Sequence, residues 1–181
     1  MQVWTVGHSN RTGEDFLHLL QAHRIEAVAD VRRFPGSRKH PQFASEALAA
    51  SLQAHGIAYG WLPKLGGRRH LPAGPARTAW RNRSFEAYAE HLRSEEFAEG
   101  LAELLHMAAA CRTAMMCSEL LWWRCHRSLV SDALRVSGIE VIHILGLDKT
   151  TPHPWTSPAR VVDGALNYGE PAVDGEGKKS F

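Results

Sequence analysis

Residues 115–130, MMCSELLWWRCHRSLV, hold two cysteines, a glutamate, a histidine and two arginines between Cys117 and Arg127. Three chemistries suit these side chains. A thiolate nucleophile would be Cys117 or Cys125. Cys125 lies at a predicted helix start beside Arg124, His126 and Arg127, where positive neighbours and the helix dipole favour thiolate over thiol. A metal site would take Cys117, Cys125 and His126, with Glu119 as a fourth donor and a divalent metal as the cofactor. The spacing Cys-x7-Cys-His is not that of a zinc finger, and a second Cys/His pair is missing, so His8 or Asp30 would have to contribute. A Cys117–Cys125 disulfide would be transient or redox-linked in a reducing compartment.

One thiol-and-anion arrangement is excluded. Phosphatase-type loops need Cys-x5-Arg, which would place arginine at position 123, where Trp123 stands. No glycine-rich nucleotide-cofactor motif occurs. Cys111, at the start of a strand, reads as a small buried hydrophobe.

The net charge of +2 hides an uneven distribution. Residues 31–45 carry Arg32, Arg33, Arg38 and Lys39 with no acid, and residues 61–83 carry Lys64, Arg68, Arg69, Arg77, Arg81 and Arg83 with no acid. Two basic loops could attract phosphates, an anionic small molecule or nucleic acid. The plainer alternative is a set of solvated surface charges.

The elements that must position these groups alternate. Strands are predicted at 2–7, 25–32, 57–62, 112–117 and 139–145. The first helix carries Phe16, Leu19 and Leu20 at helical spacing, behind Ser9, Asn10 and Thr12 as candidate caps, and Thr12 with Asp15 approximates a capping box. An alanine-rich helix at 44–56 closes on Gly56, and one at 126–138 stops at Gly138. Two helices follow the long loop 63–83, with Ser84 and Ser94 as caps. With no Asn-Gly-type hairpin turn, the alternation predicts an α/β fold: a mostly parallel sheet flanked by helices on both faces, three-layered and Rossmann-like. Residues 1–168 form one expected domain and 169–181 a flexible polar tail. No signal peptide, no bilayer-length apolar run and an odd cysteine count point to a cytoplasmic protein without a membrane partner.

Ligands of open α/β sheets bind outside the carboxyl ends of the strands. His8, Ser9 and Asn10 follow the first strand there, Asp30 and Arg32 end the second, Gly66, Gly67 and Arg68 follow the third, and Cys117 and Glu119 end the fourth. Cys125, His126 and Arg127 open the next helix, whose N–H groups could cradle an anion. Structural alternatives stand beside each: helix caps for Ser9 and Asn10, an ion pair for Asp30 with Arg32, a tight turn for the glycines.

From TVGHSNRTGEDFLHLL through VADVRRFPGSRKHPQF, YGWLPKLGGRR and FEAYAEHL to MMCSELLWWRCHRSLV and IEVIHIL, the chain resembles the DUF488 family, a domain of unknown function found widely in bacteria and archaea. That family's pattern is Cys-Ala-Glu, a proline, then Cys-His-Arg. Here these become Cys117, Ser118, Glu119, Trp122 and Cys125-His126-Arg127 at the same spacing, and Trp122 in place of proline would alter the loop. The resemblance falls on the polar rim residues and so implies a shared ligand or reaction.

The expected function is an enzyme acting on an anionic, phosphate-containing or nucleotide-like substrate held by Arg32, Arg68 and Arg127. Cys117 or Cys125 would supply the nucleophile or a metal ligand, and Glu119, Asp30 or His8 would transfer protons. The alternatives are a metal-binding protein using Cys117 and Cys125, or a nucleic-acid-binding or regulatory module with Trp61, Trp80 and Trp123 stacking on bases.

Overall fold

The structure is a computed structural model describing residues 1–36, 38–71, 74 and 78–169. Its sheet comprises β1 (Gln2–Gly7), β2 (Ala27–Asp30), β3 (Ala58–Trp61), β4 (Thr113–Cys117), β5 (Glu140–Gly146) and β6 (Lys149–Pro152), in the order β3-β2-β4-β1-β5-β6. Every pairing is parallel except β5 with β6. The helices are α1 (Gly13–Ala22), α2 (Ser45–Ala54), α3 (Arg83–His91), α4 (Glu95–Ala110) and α5 (Arg127–Val136).

Side chains of the central strands alternate between two buried faces, which gives them the continuous apolar character of a covered parallel sheet. Along β4, Ala114 and Met116 join Phe16, Leu20, Leu48 and Leu52 of α1 and α2. Met115 and Cys117 join Tyr88, Leu104, Leu129 and Val130 of α3, α4 and α5 on the other face. The result is the three-layer α/β fold expected from the alternation. Its consequence for the site is that Cys117 points to the face that carries α5.

Local signals explain the element ends. Thr12 accepts from the Asp15 N–H at 3.0 Å and donates to the Asp15 carboxylate at 2.8 Å, completing the box that starts α1. Ser94 caps α4 through the Phe97 N–H. Gly56 and Gly138 follow their helices at φ 72° and 75°. Asn82, not Ser84, caps α3, because its side chain accepts from the Ser84 N–H. Cys111 is half-buried at the end of α4, not enclosed in the core.

The expectation that the chain has no Asn-Gly-type hairpin turn needs correction. β7 (Arg160–Val162) and β8 (Ala165–Asn167) pair antiparallel across Asp163 and Gly164. Both turn residues have positive φ, 50° and 77°, the geometry that Asp-Gly supplies in a two-residue hairpin. No helix among the described residues is long and apolar enough to cross a membrane. The polar tail expected at 169–181 lies outside the described residues except for Gly169.

Candidate functional site

Sheet register brings the polar groups to one rim. Gly7 pairs with Cys117, and Asp30 pairs with both Met116 and Trp61. The pairing runs one step past the strands, with the His8 N–H donating to the Cys117 carbonyl and the Ser9 N–H to that of Ser118. A cleft of about 530 Å³ opens there. His8, Ser9, Asn10, Arg32, Gly67, Arg68, Cys117, Glu119, Cys125 and His126 line it. The other sequence candidates, Asp30, Gly66 and Arg127, stand behind its wall.

The two sulfurs lie at the floor. Cys117 Sγ, Cys125 Sγ and a ring nitrogen of His126 all fall within 4.8 Å of one another. All three cysteines are free thiols, so no disulfide joins the pair. Cys125 is 3% exposed. Burial pushes its thiol up in pKa, but the Cys117 S–H donation, the Arg127 charge and the Arg127 backbone and side-chain N–H groups outweigh burial and bring it down to about 6. Arg127 Nε reaches Cys125 Sγ at 3.4 Å. Cys117 is raised, first because it donates to Cys125 and then by burial. The pair therefore shares one proton, and its titration belongs to both residues. The anion at the start of α5 is the Cys125 sulfur itself. The Ser128 N–H meanwhile returns to the Cys125 carbonyl, so of the N–H groups expected to cradle an anion at 126–128 that one is engaged within the protein.

His126 Nε2 donates to the Val31 carbonyl at 3.0 Å, which leaves the lone pair of Nδ1 facing Cys125 Sγ at 3.6 Å. Burial and the nearby Arg127 charge lower its pKa, so the ring is neutral. The local packing depends on Gly67, where an added Cβ would lie 2.7 Å from His126 Nδ1. Gly66 plays the equivalent part against the Arg33 backbone.

Two arginines expected to hold an anion are engaged by the protein. Arg32 grips Asp30 through Nε at 2.8 Å and Nη2 at 2.5 Å, donates to the Phe43 carbonyl at 2.8 Å, and reaches His8 Nε2 at 3.4 Å. Arg127 donates to the Glu119 carbonyl as well as to the sulfur. Asp30 is fully enclosed and also accepts from Tyr59 Oη at 2.8 Å. His8 donates from Nδ1 to the Ser9 carbonyl, and burial with the Arg32 charge lowers its pKa to about 4.

The cations left for a ligand are others. Arg33, Arg68 and Arg124 line the cleft, and none makes an ion pair or side-chain hydrogen bond to a described residue. Arg69 and Lys64, from the same acid-free stretch of sequence, are instead held by Glu96, Glu99 and Glu103 of α4. Among the described residues, Glu119 is the sole acid in the cleft lining. Arg68 and Ser9 adopt positive φ of 57° and 53° at the cleft wall, an uncommon state for residues other than glycine. Arg33 and Arg124 were missed as site residues; the acid-free run 31–45 was the signal for Arg33, while Arg124 was read only as a positive neighbour of Cys125.

The three donor atoms match the count of a thiophilic divalent cation site with one open position. The surroundings oppose a cation, because Arg127 touches one sulfur and unpaired arginines line the approach.

A second buried network also went unread in the sequence. Asp132 of α5 accepts from His153 Nε2 at 3.0 Å, the Thr156 N–H at 3.1 Å, the Thr156 hydroxyl and Tyr168 Oη at 2.7 Å. His153 Nδ1 meets His143 Nε2 at 2.9 Å, and His143 Nδ1 meets the Thr5 hydroxyl at 2.7 Å. Trp122 stacks on His143, centroids 4.2 Å apart. The turn between the two cysteines is thereby clamped to the segment 143–168.

A family model, domain of unknown function DUF488, matches residues 12–134. The chain belongs to the DUF488 family. No curated protein and no solved structure matches it. The DUF488 match includes Asp30, Arg32, Cys117, Glu119, Cys125, His126 and Arg127, while His143, His153 and Tyr168 lie beyond it. Trp122, where the DUF488 pattern noted above has proline, therefore packs against a part of the chain outside the matched region.

Proposed function

We infer that this DUF488 protein is an enzyme whose Cys125 thiolate attacks an anionic substrate held in the arginine-lined cleft. The observation that carries the reading is a pair of thiols within 4.8 Å of each other at the floor of a cleft, on whose wall Arg33, Arg68 and Arg124 make no ion pair or side-chain hydrogen bond to a described residue. A thiolate is the nucleophilic form of cysteine, and Arg127 with the first turn of α5 stabilises that form without exposing it to bulk water.

In the chemical step, the sulfur lone pair forms a bond to an electrophilic atom of the substrate. The electron pair of the bond that breaks leaves with the departing group. That group takes up a proton, which the Cys117 thiol, its sulfur within 4.8 Å of the reacting one, can supply. The neutral His126 Nδ1, its lone pair turned inward, can receive a proton in the return half of the cycle. His8 remains neutral at the rim. Asp30 works through Arg32, fixing the 30–32 turn behind the cleft.

The metal reading rests on the same three donor atoms. Charge separates the two: cationic walls favour an anionic ligand and resist a divalent cation.

The test is the pH dependence of iodoacetamide alkylation of folded, metal-free protein, followed by mass spectrometry for each cysteine. Cys125 should reach half its maximal rate near pH 6. Cys111, whose sulfur meets the Met107 carbonyl and the Thr113 hydroxyl, serves as the internal reference. Alkylation of Cys125 no faster than that of Cys111 at neutral pH would overturn the nucleophile reading.

A further inference from the structure

The cleft does not end at the thiols. A second hollow of about 840 Å³ adjoins it and shares Arg33, Phe34, Arg68 and Ser84 with the first. Arg69 and His70 line its far part. The two together form a groove with the sulfur pair in one arm, while Arg69, His70 and His91 line the other with one acid, Glu90, and Arg69 is held by Glu96. A single phosphate or a mononucleotide would fill only one arm.

Aromatic surface interleaves with these cations. Phe34 stands at the junction, 65% exposed, with the Arg33 guanidinium 5.9 Å from its ring centroid. Trp123, 50% exposed, adjoins Arg124 in sequence. Large aromatic side chains left in water beside unpaired arginines suit a ligand that alternates negative charge with flat apolar rings. Trp80, by contrast, is stacked on Phe85 at 4.8 Å and is not part of this surface.

From the juxtaposition of the two-armed groove, its three unpaired arginines and exposed Phe34, we propose that the substrate is a single-stranded nucleic acid. It threads past Arg33 and Arg68 and presents one nucleotide to the thiol floor. The proposal rests on the reading of the cleft as the substrate site and names its occupant. Depth selects a single strand over a duplex: Cys125 is nearly enclosed, and only a nucleotide free of its partner can descend to it. The phosphates give affinity through the arginines, and the base at Phe34 gives stacking that tolerates any sequence.

Fluorescence polarisation of labelled oligothymidylate with the full chain tests this. Binding should weaken with salt, with a slope of about −2 in log K against log salt for three phosphate contacts. Arg68→Asn with Arg124→Gln should lower affinity at least about tenfold and flatten the slope by about 1.4, since two contacts are lost. Asn is chosen because it accepts the positive φ of position 68. Phe34→Ala should lower affinity roughly fivefold or more and leave the slope unchanged. Thermal melts matching the parent chain confirm that the variants fold.

No binding at about 50 mM salt would overturn the proposal, as would equal displacement by inorganic tripolyphosphate at the same phosphate concentration, or tighter binding of a duplex. Variants that bind like the parent chain would overturn it too, since the strand would then lie elsewhere. Cys125→Ser should retain strand binding. Binding kept while Cys125 shows no enhanced alkylation would sink the nucleophile alone, and enhanced alkylation without strand binding would sink the nucleic-acid assignment alone.

Discussion

Arg127 sets the charge of the reacting sulfur. Its guanidinium is 1% exposed, donates to Cys125 Sγ through Nε, and holds the Glu119 carbonyl with Nη2. Removing it strips the thiolate of its cation and orphans a carbonyl, so Arg127→Gln should raise the Cys125 alkylation midpoint by about one pH unit or more. The same change should lower unfolding stability by about 2–4 kcal/mol, read from urea denaturation. Cys117→Ala removes the other donor and should also raise the midpoint, with a smaller loss of stability. An unchanged midpoint in both variants would mean that the pair does not share its proton.

Between the residues and the fold, α5 is the element that joins both buried networks. Its first residue serves the thiols, and Asp132, five residues on, ties it to His153, Thr156 and Tyr168 near the end of the described chain. Tyr168→Phe removes one hydrogen bond to that carboxylate and should cost about 1.5–3 kcal/mol in urea denaturation, because bonds to charged groups exceed the neutral average. A cost near zero would show that Thr156 and His153 suffice for Asp132. These ties were illegible in the sequence for identifiable reasons. The strand β6 reads KTTP, four residues closed by proline, so its two β-branched threonines came without the apolar alternation that would have announced an edge strand. The Asp163–Gly164 turn was legible but overlooked, since Val161 and Val162 beside it are exposed and imitate no core strand. The parallel core was legible because alternation, the Thr12 box and the helix-ending glycines all agreed. The rim was legible for the same reason, as parallel strands place every carboxyl end on one side. Which arginines face the cleft unpaired was not legible. That depends on Glu96, Glu99 and Glu103 of α4 capturing Arg69 and Lys64 across 27 to 39 residues of chain.

Across the whole molecule, buried neutral histidines and the thiol pair give folding one direction of pH dependence over a wide span. His8 falls from 6.5 to about 4 and His143 to about 2, both chiefly through burial, and His126 and His91 are lowered as well. Below 6.5 the unfolded chain takes up protons that these native rings refuse. Stability from them is therefore complete above 6.5 and is lost as pH falls, by up to about 1.4 kcal/mol per pH unit for each ring refusing a proton. Cys125 continues the same slope at higher pH. Native Cys125 is deprotonated from about 6, while an unfolded thiol keeps its proton until about 8.5, so stability rises between those values. Cys117 reverses the sign beyond that point, because the native thiol holds a proton that the unfolded chain has released. The urea midpoint should therefore climb from pH 4.5 to about 8 and then turn down. Cys125→Ser should abolish the climb between about 6 and 8 and leave the limb below 6.5 in place, because the histidines are unaltered. A flat midpoint between pH 4.5 and 6.5 would mean that His8 and His143 take up protons in the folded state, and a climb that survives in Cys125→Ser would remove the buried thiolate from the account.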